Sequence, residues 1–455
     1  MTPDLLAPLD LAFWNIESDR HPMHLGALGV FAADSPEAAR HAADLLAARC
    51  AAVPGLRMRI RDALLPVGGA VRAPDADFDP AHHVRLAAVA RDFQEAAGEL
   101  MQRPLDRARP PWEVHVLPGV DGTSFAVLFK FHHALADGLR ALMLAAGLMD
   151  PLPDSPPSRK PPKPADSRTG DGAARRRPDL SKSLDVFRRR VGEVGQALDI
   201  GASVARATWG FLEAAPALTA PATGTRRTAG VVVDLDDVHR IRKRTGGTVN
   251  DVLIAAVAGA LRSWLTERGE NGDRVRPRAL IPVSRRRPRD AHPGGNRLSG
   301  YLIRLPVAES DPLERLRAVR TAMDRNKEAG PNRGAGAVAL LADHVPPLGH
   351  RLGGPVVAQA ARLLFDILVT SVPLPGLGLR LGGCPLDAVY PFAPLAPGQS
   401  LAVAVSTYRG NVHYGLIADA QAVPDLDRLA AALRAEITAL GEAAEAAEAA
   451  GPTQG

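Results

Sequence analysis

The sequence predicts an α/β (α+β) fold built as two sandwiches facing each other, and three observations carry that prediction. Strand-like and helix-like segments alternate in both halves of the chain. The stretch between them, Leu152 to Asp179, is crowded with Pro, Lys, Arg, Ser and Asp and nearly empty of large apolar side chains, so burial cannot offset its ordering entropy. At 455 residues, each half is long enough for a hydrophobic core of its own. The expected boundaries are 1–150 for a first subdomain, 151–183 for a disordered Pro/Arg-rich linker, 184–222 for bridging helices, 223–445 for a second subdomain and 446–455 for a frayed tail.

In the first half, Leu9 to Trp14 reads as a short helix and is followed by an alternating strand that ends at Phe31. Pro36 to Ala52 is an alanine-rich amphipathic helix, and Leu56 to Val71 is a hairpin turning at Gly68-Gly69. His82-His83 precedes an exposed strand, Val84-Arg85-Leu86, with no acid and glycine close behind, so this histidine pair reads as structural. Phe93 to Met101 is a helix. Arg109-Pro110-Pro111 stiffens the entry to a strand from Trp112 to Leu117.

The next segment carries chemistry. Phe125, Val127, Phe129 and Phe131 alternate with Ser124, Ala126, Leu128 and Lys130, which predicts a half-buried strand from Thr123 to His133. It ends on His132-His133-Ala134-Leu135-Ala136-Asp137-Gly138. Side chains alternate faces, so His133 keeps the phase of the phenylalanines and His132 points the other way. Asp137 stands where a helix N-cap belongs, ahead of Leu139, Leu142, Met143 and Ala146 at helical spacing. An imidazole held at a strand end titrates near neutrality and can take a proton from a hydroxyl and return it. A lone histidine here would more often be a core residue, but the grouping favours a base.

In the second half, Gly230 to Leu235 is a strand, Asp236 to Arg244 a helix, and Thr248 with Asp251 has capping-box spacing ahead of a mostly buried helix through Trp264. Arg278 to Ser284 and Tyr301 to Val307 are strands flanking an Arg-rich loop. Asp311 to Lys327 is a helix, Ala337 to Ala342 and Pro355 to Phe365 are apolar helices, and Ile367 to Val372 is a strand. Leu401 to Tyr408 and Val412 to Ile417 form a hairpin across Arg409-Gly410-Asn411, and Leu426 to Leu440 closes the chain as a helix.

Composition narrows the function classes. A net charge of +5 favours an anionic partner, such as a phosphate-bearing ligand or an acidic membrane surface. Aromatics are few and no basic stripe interleaves with them, so no nucleic-acid partner is expected. Cys50 and Cys384 lie far apart without ligand spacing, so neither a disulfide framework nor a zinc site is expected, and the compartment reads as reducing and cytoplasmic. Met1 to Asp10 carries no secretory signature and no apolar run is long enough to span a bilayer, which leaves peripheral contact with membrane or lipid inclusions as the expected mode.

His-His-x-x-x-Asp-Gly at 132–138 resembles the active-site motif of the CoA-dependent acyltransferase superfamily, which includes chloramphenicol acetyltransferase and peptide-synthetase condensation domains. Further stretches from Pro8 to Asp419 are similar to one branch, the bacterial wax ester synthase/diacylglycerol acyltransferase family. They are Pro8-Leu9-Asp10 with Phe13, Pro22-Met23-His24, Phe78-Asp79 with His83, Arg109-Pro110-Pro111-Trp112-Glu113, Asn250-Asp251-Val252, and Pro282-Val283-Ser284-Arg285 with Gly295-Asn296. Two places depart: Pro111 stands for a leucine, and Thr370-Ser371-Val372-Pro373-Leu374-Pro375 stands where Thr-Asn-Val-Pro-Gly-Pro is usual.

The resemblance implies two chloramphenicol acetyltransferase-like sandwiches with mixed sheets and an active-site tunnel at their interface. It implies acyl-CoA as substrate, with no further cofactor, and a diacylglycerol or long-chain alcohol as acceptor. His133 would be the general base, Asp137 would hold the loop, usually through an arginine, and Gly138 would permit close approach of chain or substrate. Motif-loop amides and Asn250, beside Asp251, are candidates for oxyanion or substrate contacts. Asn250 reads equally as a polar residue of a helix's first turn, and Arg285, Arg286 and Arg287 as a solvated face or a CoA phosphate contact. Acylation of a polyketide-type alcohol, a non-catalytic lipid-binding protein and a zinc hydrolase are the rival readings, the last lacking a carboxylate at ligand spacing.

Overall fold

The computed structural model describes residues 4–65, 67–152, 215–284, 298–329, 365–372, 374 and 378–450. In chain order the first half runs β1 (Asp4–Leu5), α1 (Pro8–Ile16), β2 (His24–Ala32), α2 (Ala38–Ala52), β3 (Met58–Asp62), β4 (Ala70–Pro74), β5 (Val84–Leu86), α3 (Phe93–Met101), β6 (Trp112–Pro118), β7 (Ser124–His132), α4 (Gly138–Gly147) and β8 (Asp150–Pro151). The second runs β9 (Arg226–Asp234), α5 (Leu235–Thr245), α6 (Val249–Glu267), β10 (Arg278–Ser284), β11 (Leu298–Arg304), α7 (Pro312–Ala329), β12 (Ile367–Ser371), β13 (Leu379–Leu381), β14 (Cys384–Phe392), β15 (Leu401–Tyr408), β16 (Asn411–Asp419) and α8 (Leu426–Ala449).

Among the described residues these strands form a seven-stranded sheet ordered β5-β6-β7-β2-β14-β13-β8, a six-stranded sheet ordered β11-β10-β12-β15-β16-β9, and a small sheet ordered β1-β4-β3. Both large sheets are mixed: β5 runs parallel to β6, and β12 parallel to both β10 and β15, while the other neighbours are antiparallel. The second sheet is covered by α5, α6, α7 and α8 over one continuous core that includes Trp264, Tyr414, Ile281 and Leu433. Local signals explain the ends. Thr248 and Asp251 form the capping box of α6, and Arg409 and Gly410, both at positive φ, make the tight turn between β15 and β16.

Several expectations need correction. β7 ends at His132, and it is buried on both faces. Phe125, Val127, Phe129 and Phe131 pack with α2 and α4, while Ala126 and Leu128 pack with α3 and residues of β15 and β16. Alternation of phenylalanine with smaller residues reads as half-burial only because the second sheet, contributed from far along the chain, covers the other face. The second subdomain expected over 223–445 is not continuous in space, because β13 and β14 join the first sheet. There β14 pairs with β2, with Phe392 opposite Gly26 and Tyr390 opposite Leu28.

The two sheets also meet at β14, where Gly415 lies so close under Pro391 that any Cβ would overlap the Pro391 carbonyl oxygen. The frayed tail expected from 446 is helical as far as Ala449, and Arg244 pairs with Glu445 and Glu448 along it. The linker expected from 151 begins with order, since Pro151 pairs with Leu379 and Leu152 N–H donates to the Gly378 carbonyl at 2.7 Å. The rest of that linker, most of the bridging helices, Arg285 to Arg287, Gly295-Asn296, the apolar helix expected at 337–342 and all but the last residue of the one expected at 355–365 lie outside the described residues. Of 184–222, the described end carries a single short turn, Pro216–Leu218.

Candidate active site

The motif loop leaves the end of β7 and enters α4 within five residues, and it is tied at every step. His133 N–H donates to the Met23 carbonyl (2.8 Å), Ala134 N–H to His132 Nδ1 (3.0 Å), and Leu135 and Ala136 N–H to the His132 carbonyl (2.8 and 3.3 Å). Four consecutive amides are therefore committed inside the motif. Asp137 caps α4, its Oδ1 accepting the Arg140 N–H at 2.8 Å, as its position in the sequence predicts. Gly138 opens α4, where the positive end of the helix dipole adds to its amide as a donor.

The two histidines have different surroundings, and because β7 ends at His132, strand alternation does not extend to His133. His133 is 7% exposed and its ring stacks on Phe13 of α1, with centroids 3.9 Å apart and planes inclined by 16°. Burial pushes its imidazole down to about 4, against an opposing backbone hydrogen bond and the Asp137 charge, and His132 adds to the downward push. At neutral pH His133 is therefore an uncharged base. His132 is fully buried. Its Nδ1 accepts from Ala134, so the proton sits on Nε2, which faces Glu17 Oε2 at 3.4 Å, with the edge of the Trp14 ring alongside. Burial alone would raise the Glu17 carboxyl, but His132, the Met23 amide and Arg107 together hold it below the ordinary range.

An arginine holds the motif loop at Ala134, and it is Arg72 of β4. Its guanidinium donates to the Ala134 carbonyl (3.0 Å) and to the buried carboxylate of Asp10 on α1 (2.9 Å), and stands 3.7 Å from Asp4. The base of the small sheet is thereby clamped to the loop, and Ile60, Ala70, Leu11, Trp14 and Ala134 fill the space between them. Sequence reasoning singled out neither Arg72 nor Glu17. The one available signal was the recurrence of Asp10, Phe13 and Met23 in a stretch with no evident chemistry of its own.

On the other side the loop meets the second sheet. A Cβ on Gly138 would come within 3.3 Å of Val372 Cγ2, just past β12, so the close approach that this glycine permits is to chain. Val372 belongs to the departing segment at 370–375, and Leu374 of the same segment lines an apolar space with Ala27, Phe129, Leu142, Ala146 and Met149. This space therefore lies between β7 and α4, the strand and helix that the motif loop joins.

Not every candidate converges here. Asp251 is spent on the capping box, accepting the Thr248 N–H at 2.8 Å, and Asn250 lies half-buried in the first turn of α6. His83 donates from Nδ1 to the Trp112 carbonyl at 2.8 Å and stacks on the Trp112 and Phe78 rings, which confirms a structural role for the second histidine pair. Cys50 and Cys384 are buried and free. Among the described residues, no helix is long and apolar enough to cross a membrane.

The arrangement is a buried histidine just past the end of a central strand, in a chain built on two mixed sheets. Solved structures share the fold along nearly the whole chain. The wax ester synthase/diacylglycerol acyltransferase from Marinobacter aquaeolei VT8 superimposes with a TM-score of 0.70 at 23% identity, covering 98% of this chain and 100% of that one. The TRI3 trichothecene 15-O-acetyltransferase from Fusarium sporotrichioides gives a TM-score of 0.60 at 13% identity, covering 96% and 94%.

The family model described as the wax ester synthase/diacylglycerol acyltransferase catalytic domain matches residues 6–253, and the corresponding C-terminal domain matches residues 294–441. The Mycobacterium tuberculosis protein named as a probable diacylglycerol O-acyltransferase, tgs2, is 33% identical over 464 residues, covering 97% of this chain and 99% of its own. The chain belongs to the wax ester synthase/diacylglycerol acyltransferase family, and it is an acyltransferase.

Proposed function

We propose that this protein moves a long-chain acyl group from acyl-CoA to the hydroxyl of a diacylglycerol or long-chain alcohol, giving triacylglycerol or wax ester, with His133 as general base. The observation that carries the reading is the buried imidazole of His133, stacked on the Phe13 ring in a motif loop tied by its own backbone bond to Met23. A thioester carbonyl is electrophilic enough to be attacked without a covalent acyl-enzyme, so one base beside the acceptor hydroxyl suffices, an assistance typically worth ~10²- to 10⁴-fold. His133 takes the hydroxyl proton as the oxygen attacks. The tetrahedral oxyanion collapses, the C–S bond breaks, and the imidazolium returns the proton to the CoA thiolate.

The oxyanion needs donors, and the loop amides from His133 to Ala136 are engaged elsewhere. The Gly138 N–H at the start of α4 is the donor we assign. The apolar space bounded by Phe129 of β7, Leu142 of α4 and Leu374 suits an aliphatic chain. Asp137 shapes the loop, because its carboxylate is already engaged in capping α4. A panel of acceptors offered with one long-chain acyl-CoA, read by CoA release and lipid chromatography, tests the reading. Acylation of diacylglycerol or of alcohols of about sixteen carbons supports it. Turnover confined to polyhydroxylated, polyketide-like alcohols would replace it.

A further inference from the structure

The two most exposed large apolar side chains among the described residues are neighbours. Leu64 is 95% and Leu65 77% exposed, and Val67, two residues on, is 60% exposed. They occupy the turn that joins β3 to β4, and Leu5, opposite Val71 on β1, adds a further half-exposed aliphatic group to the same small sheet. We propose that this hairpin tip is a lipid-docking element, which inserts its aliphatic side chains into an anionic lipid surface and brings the motif loop to that surface.

Composition, charge and attachment each support this. The tip is purely aliphatic, and moving leucine side chains from water into hydrocarbon is favourable in proportion to the area buried. Between Arg57 and Ala73 stand four arginines, Arg57, Arg59, Arg61 and Arg72, against one acid, Asp62. Arg59 and Arg72 are engaged with Asp75 and Asp10, and Arg57 lies at the far end of β3 over the Phe78 ring, which leaves the exposed Arg61 as the cation next to the tip. A cation beside an apolar tip matches a surface of acyl chains under anionic headgroups. Three side chains fall far short of the roughly 800 Å² per partner that a specific protein interface buries, which argues against a second copy of the chain as the occupant.

The attachment gives the docking a consequence. Ile60 and Ala70 at the hairpin base are buried against Ala134 of the motif loop, and Arg72 holds the Ala134 carbonyl, so a docked tip sets that loop at a defined distance from the lipid. The inference deepens the proposed function by naming the surface from which an apolar acceptor is taken, and its primary test needs no catalysis.

That test is co-sedimentation of the full chain with substrate-free vesicles of phosphatidylcholine, with and without about 30% phosphatidylglycerol. The expected result is binding that rises with the anionic lipid and weakens with salt. It should fall about tenfold or more in L64S/L65S/V67S and a few-fold, only at low salt, in R61Q. The triple variant should keep wild-type transfer from palmitoyl-CoA to dissolved hexanol and lose transfer to diacylglycerol held in vesicles. Equal vesicle binding by wild type and triple variant, or no binding by either, would overturn the proposal. So would a lipid-free dimer, seen by sedimentation velocity, that dissociates in the triple variant. If wild type acylates neither acceptor, the functional reading fails while the vesicle result still decides the docking.

Discussion

A histidine works as a base only if it reaches the substrate without a proton already on it, and the surroundings of His133 secure this by burial rather than by a partner charge. With its imidazole pushed down to about 4, kcat/KM should stay flat from pH 8 to 6 and fall only well below 6.5, toward 4. An acid limb centred at 6.5 would show a solvated imidazole instead. The same shift has a consequence for stability. Unfolded His133 binds a proton below about 6.5 and the folded one does not until about 4, so stability should rise with pH across that window. His24, His83, His115 and His413 are displaced downward by burial as well and add to the same sign. Urea midpoints measured between pH 4 and 7 check this. Arg72→Met should lower kcat about tenfold or more with little change in KM, because the guanidinium positions Ala134 and touches no substrate, and Arg72→Lys should restore part of the rate. Asp137→Asn should lower both rate and melting temperature. An asparagine still caps α4 but lacks the carboxylate charge, and an inactive variant of unchanged stability would point to direct proton transfer instead.

At the scale of elements, the sequence shows what is local and hides what is not. The strand, cap and helix around His133 follow from an alternating apolar pattern, an N-cap aspartate and helical spacing, all of which lie within about 25 residues. The capping box at Thr248 and the turn at Arg409-Gly410 are visible for the same reason. The burial of β7 on its second face is not, since Lys130 and His132 read as polar until the carbonyls of Leu100 and Arg103 and the carboxylate of Glu17 are brought to them. Nor is the clamp made by Arg72, which joins residues 62 positions apart. Where two sheets cross, the requirement falls on a single atom. Gly415→Ala should destabilise the protein by about 3 kcal/mol, because the added methyl meets backbone at Pro391 rather than a side chain that could turn aside. Chemical denaturation would measure it, and a shift under about 1 kcal/mol would mean that the sheets can separate at that point.

For the molecule as a whole, the strand exchange matters most. Because β13 and β14 lie in the first sheet between segments of the second, the halves are interlocked by main-chain pairing as well as by apolar contact. A protease site placed near residue 165 and cleaved should therefore give a nicked protein that elutes as one particle and keeps most of its activity. Separation into two fragments would mean that the pairing of β14 with β2 does not hold the halves together. The interlock also brings Val372 against Gly138 of the motif. The central claim is that the His133 imidazole, and not its neighbour, carries the proton. The most direct measurement is single-turnover acyl transfer by His133→Ala and His132→Ala, each with far-ultraviolet circular dichroism matching wild type. The account predicts a loss of ~10²-fold or more for His133→Ala and a milder loss for His132→Ala. An equal loss in both, or a greater loss in His132→Ala, would contradict it.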